Sequence, residues 1–133
     1  MGVFDRFRRK KKSGKISAES AAITTDLEKL CGSDIETYEA LRNAMALDPR
    51  KIGISLKDAV ENAKKAEREK DFAVAGEMYR VAGSLMIYEG NAKKAAELFS
   101  EAQRILPDEK FTFLKNPEKA VAKAQEYYKK YLT

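Results

Sequence analysis

Apolar positions along this chain recur at three- and four-residue steps, the period of one face of an α-helix. Residues 18–31 place Ala22, Ile23, Leu27 and Leu30 on such a face, and Gly32 supplies the left-handed stop. Ser33-Asp34-Ile35-Glu36 has the spacing of a capping box, with Ser33 as the expected cap. The helix it opens carries Ile35, Tyr38, Leu41 and Met45 and is expected to end near Leu47, before Asp48-Pro49. After a connection over 48–54, Ser55 caps a helix through Glu69 whose stripe is Leu56, Ala59, Val60, Ala63 and Ala66.

Residues 72–88 differ. Phe72, Ala75, Tyr79, Ala82 and Met86 lie on one side and Val74, Met78, Val81 and Leu85 on the other. A helix apolar on two sides is expected to lie between neighbours. Residues 92–106 return to a single apolar face through Ala95, Phe99, Ala102 and Leu106. The breaks at Lys70-Asp71 and Gly90-Asn91 are short enough to demand antiparallel hairpins. Offset by 20, Asp71 aligns with Asn91, Ala75 with Ala95, Tyr79 with Phe99 and Ala82 with Ala102. Gly76 and Gly83 share one face of the middle helix, where each costs about 1 kcal/mol relative to Ala, so close contact is expected there. Asn116, Pro117 and Glu118 read as cap, first position and first turn of a final helix over 117–132. Phe111, Phe113 and Leu114 before it are expected to form a short turn over the end of the core.

Taken as a 34-residue unit, residues 76–109 resemble a tetratricopeptide repeat: Tyr79, Gly83, Gly90, Ala95, Phe99, Ala102 and Pro107 fall where that family wants aromatic, small and proline residues. Ala82 and Met86 depart from the usual Leu and Tyr, and the match covers one repeat plus the preceding half. The hairpins are also similar in pattern to the helices of soluble NSF attachment proteins. The resemblance implies an all-α fold, with antiparallel helical hairpins stacked as a short right-handed array and the flanking helices as caps. The expected organisation is a basic flexible tail over 1–16 and a single helical domain over 17–133, with a repeat-like core over 56–107.

Composition supports the helical reading, since Ala, Glu, Lys, Leu and Arg make up about half of the 133 residues. The net charge of +5 is unevenly placed: residues 1–15 hold seven cations against Asp5, and the other 118 hold 19 cations against 20 acids. The cation block Arg6, Arg8, Arg9, Lys10, Lys11 and Lys12 follows Val3 and Phe4 and surrounds Phe7. Blocks of like charge usually stay solvated, and this one has the further option of an anionic membrane surface or nucleic acid. No apolar run reaches the length of a membrane span.

Histidine is absent, which removes the His-based triads, His-liganded zinc and the Glu-x-x-His di-iron pattern. Cys31 has no histidine to activate it and reads as a structural thiol; a single cysteine suits a reducing, cytoplasmic setting. Glu67, Glu69 and Asp71 read as a solvated face, and Tyr127, Tyr128 and Tyr131 as core residues with exposed hydroxyls. No phosphate loop is present. No catalytic residue, cofactor or metal is therefore expected, and the chain reads as a non-enzymatic adaptor or scaffold. Its partner is expected to be another protein, bound as a peptide or helix on the face of helix 72–88 that carries Arg80, Ser84, Ile87 and Tyr88. The alternative is binding of nucleic acid or an anionic membrane through the tail, with the helical body as carrier.

Overall fold

The computed structural model describes residues 26–132, and these are helical with no strand among them. Helical residues 26–31 (α1) lead through Gly32, at φ 61°, into α2, Ile35–Arg42. The cap of α2 is Asp34, not Ser33: its side chain accepts from the Thr37 backbone N–H at 3.2 Å and from the Thr37 hydroxyl at 2.7 Å. A carboxylate at that place also meets the positive end of the helix. The helix is shorter than its apolar pattern suggests. It stops at Asn43, whose N–H turns back to the Leu41 carbonyl, so Met45 and Leu47 lie in the connection that follows. A 3₁₀ turn at Pro49–Lys51, capped by Asp48, sits inside that connection.

Then come α3 (Leu56–Arg68), α4 (Phe72–Glu89), α5 (Ala92–Ile105), a 3₁₀ turn at Thr112–Lys115 and α6 (Pro117–Tyr131). Ser55, Asp71, Asn91 and Asn116 each cap the following helix by accepting from the N–H three residues on. The α3–α4 and α4–α5 turns close alike: Asp71 N–H donates to Ala66 at 2.8 Å and Asn91 N–H to Met86 at 2.9 Å. Both put the preceding residue in the left-handed region, Gly90 at φ 82° and, without glycine's freedom, Lys70 at φ 62°.

The α4 helix lies between α3 and α5, and α6 packs against α2, α4 and α5. Gly76 faces Leu106 and Gly83 faces Phe99, so α4 and α5 run antiparallel. Their approach depends on small residues. Ala75, Ala82, Ala95 and Ala102 are fully buried, as are Ala59 and Ala63 of α3. What fills the space left by the glycines is side chain rather than backbone: a Cβ on Gly83 would stand 2.7 Å from the Phe99 ring. Phe99 in turn packs on Phe113 at 4.9 Å and Phe111 at 5.7 Å between ring centroids, so the 111–115 segment closes the end of the core. Deleting a buried ring of this kind costs about 3–5 kcal/mol.

The second apolar side of α4 is only partly covered. Met78, Val81 and Leu85 are half-buried and Val74 is exposed. Phe72, expected on the core side, is 47% exposed, because it is the first residue of the helix and lies beyond the reach of α5. No helix among the described residues is long and apolar enough to cross a membrane.

Candidate interaction cleft

The face of α4 expected to meet a partner is largely taken up by the chain itself. Ile87 is 0% exposed and lines no open groove, and Ser84, 5% exposed, offers almost no surface to one. Ser84 Oγ donates to the Val81 carbonyl at 2.7 Å, one turn back along its own helix. The Gln125 amide of α6 donates to the Ile87 and Tyr88 carbonyls at 2.8 and 2.9 Å, at the end of α4 where Ile87 also accepts from the Gly90 N–H. Tyr88 remains 38% exposed, with its ring edge-on to Tyr128 at 5.1 Å. The Tyr128 hydroxyl does not reach solvent as expected. It donates to the Ala46 carbonyl at 2.6 Å, and burial holds the phenol far above its ordinary range, with Tyr127, Tyr88 and Asp48 adding to the effect.

Arg80 is the member of the expected set that faces an opening. Its guanidinium donates to Glu77 Oε1 at 2.8 Å and to the Asn43 carbonyl at 3.4 Å, across the gap between α4 and the end of α2. A cleft of about 280 Å³ lies there, walled by Met45, Ile52 and Val81, with Arg42 and Arg80 as its cations and Glu77 as its acid. Arg42 is held at the rim, 3.6 Å from Glu39 and 5.7 Å from the Tyr38 ring centre. The wall from α2 depends on Asn43: its Nδ2 donates to the Lys110 carbonyl at 3.1 Å, while its buried Oδ1 has no partner among the described residues. Arg80 and Ser84 thus border one cleft, Ile87 is buried and does not line it, and Tyr88 stands apart near the far end of the helix.

Asn43, Tyr128 and Gln125 were not legible as members of this region. Their contacts span 37 to 82 residues. The one local signal is Asn43 itself, a residue type that disfavours helix interiors and favours their ends.

The remaining candidate chemistry is structural. Cys31 is buried, and burial pushes its thiol upward more than Lys123 pulls it down. Glu67 is not simply solvated. It takes a two-pronged bond from Arg104 at 2.8 and 3.1 Å, tying the ends of α3 and α5, and those bonds lower its carboxyl. No group of three or more potential metal-ligating side chains occurs among the described residues. The basic residues Arg6, Arg8, Arg9, Lys10, Lys11 and Lys12 lie outside the described residues. No known protein family, curated protein or solved structure matches this chain.

Proposed function

We infer that this chain is a non-catalytic, cytoplasmic adaptor that holds an acidic segment of another protein, with α3, α4 and α5 stacked in the manner of a tetratricopeptide array. The observation that carries the reading is the cleft beside Arg80: apolar walls with a guanidinium on either side of an opening about 280 Å³ in volume. Such a combination suits a short peptide that offers an apolar side chain and a carboxylate. Glu77 and the Asn43 carbonyl hold the Arg80 guanidinium in place before any ligand arrives, which reduces the ordering cost of binding. The carboxylate grip of some tetratricopeptide proteins, built from Lys, Asn and Arg on inner helices, is not carried over, because α4 offers Arg80 alone.

Proteins retained by the full chain in a pull-down can be compared among three forms. Arg80→Glu should strip a specific partner at least tenfold, since arginine is enriched among residues that dominate interfaces and the new carboxylate repels an acidic ligand. Neutralising residues 8–12 should leave that partner bound. The opposite pattern would mean that the tail does the binding and the helical body only carries it.

A further inference from the structure

Apolar side chains line α4 on two sides, and its neighbours cover only one of them fully. Helices α3, α5 and α6 all pack against α4, yet Val74 is 39% exposed and Met78 and Val81 are half-buried. These three residues follow one another at steps of four and three, the spacing of a seam that packs on a further helix. Two openings lie along it. At the Val81 end is the cleft of about 280 Å³ beside Arg80. At the Val74 end a second cleft of about 300 Å³ lies between α3 and α4, with Met78 in its wall. The seam is therefore open from Val74 to Val81, about 10 Å along the helix axis. Its two ends carry opposite charge. Around Val74, Glu69 and Asp71 outweigh Lys65. Around Val81, Arg42 and Arg80 outweigh Glu77.

We propose that this face of α4 docks on the same face of a second copy of the chain, with the two α4 helices antiparallel about a two-fold axis near Met78. An isologous interface must be complementary to itself. A seam that is acidic at one end and basic at the other meets that condition in one orientation. Antiparallel packing sets Val74 against Val81 of the second copy and brings the acidic end of each chain to the basic end of the other; parallel packing joins like ends and is repelled. Methionine suits the axis, because its unbranched side chain adapts to a copy of itself. An unrelated protein would have to match both the apolar spacing and the reversed charges, whereas a second copy carries both. A seam this short gives a weak, reversible dimer, with a Kd of about 10–100 µM. Docking covers the cleft beside Arg80, so the dimer and a peptide-bound chain exclude each other; the proposal itself does not depend on the adaptor reading.

Sedimentation equilibrium of the full chain tests it. Between about 5 and 500 µM the average mass should climb from 15.0 kDa towards twice that value. Met78→Glu sets two carboxylates against each other on the axis and should keep the chain monomeric throughout. Val74→Glu, at an exposed position, should weaken association at least tenfold. Circular dichroism of each variant checks that the helices are intact. Glu69→Arg and Arg80→Glu each place like charges together at both ends of the interface and should weaken it about fivefold. An equal mixture of those two chains regains both opposite-charge contacts and should associate as the unaltered chain does. A chain that stays monomeric at the highest concentration overturns the proposal and leaves the adaptor reading standing. So do dimers that survive both Met78→Glu and Val74→Glu, or a mixture that associates no more tightly than its two components.

Discussion

Gly83 stands where the Phe99 ring needs room: a methyl group on Gly83 would lie 2.7 to 2.9 Å from three of the ring carbons. Phe99 is fully buried against Phe111 and Phe113 and has nowhere to retreat. Gly83→Ala should therefore destabilise the fold by about 1–3 kcal/mol, despite alanine's better helix propensity. Gly76→Ala would meet Cγ and Cδ1 of Leu106 more closely still, yet it should cost less, because Leu106 is half-buried and its side chain can turn aside. Urea denaturation of the two variants checks both the sign and the order.

Lys70 should respond in the opposite direction. It holds φ at 62° without being glycine, in a turn that Gly90 closes with the same hydrogen bond. Lys70→Gly removes the clash between Cβ and the backbone and should raise stability by about 1 kcal/mol. A lower melting temperature would mean that the exposed Lys70 side chain makes a contact worth more than that relief.

Ile87 and Arg80 separate core from cleft. Ile87→Ala should lose about 2–4 kcal/mol, as truncation of a fully buried aliphatic side chain does. Arg80→Ala should change thermal stability little, since its partner Glu77 is half exposed and can be solvated in its place. Comparable losses for the two would place Arg80 in the core and remove the cleft as a binding site.

Asp34 should give the acid limb of stability a visible component. Hydrogen bonds from Lys119 and Thr37 lower its carboxyl to about 2, with the Lys119 ammonium 2.9 Å away. A carboxyl depressed on folding stabilises the protein fully above its unfolded pKa, near 3.9, and that contribution disappears as pH falls towards 2. Asp34→Asn should keep much of the cap yet flatten the loss of melting temperature between about pH 4 and 2. An unchanged slope would show that the ion pair to α6 contributes nothing.

Cys31 provides a probe of opening. Buried and with its thiol pushed upward, it should resist iodoacetamide in the native state and react only as the core around it opens. Labelling as fast as a free thiol under native conditions would contradict this packing.

Element positions were legible because they rest on local physics. Periodicity placed α3, α4, α5 and α6 within a residue or two of their observed ends, and Ser55, Asn116 and Gly90 act as the caps and stop their side chains allow. The same logic overextended α2, because Met45 and Leu47 continue a helical apolar pattern while lying in a connection that buries Met45 by a different route. Which face of α4 stays open was not local at all. Arg80, Ser84, Ile87 and Tyr88 have similar claims on one stripe, and their fates are set by what the distant chain brings: Gln125 over the Ile87 carbonyl, Tyr128 to Ala46, Asn43 to Lys110. Periodicity records that a side chain has an apolar neighbour; only the packing of α6 and of the segment that follows α2 against α4 decides which neighbour it is and whether any room is left for another molecule.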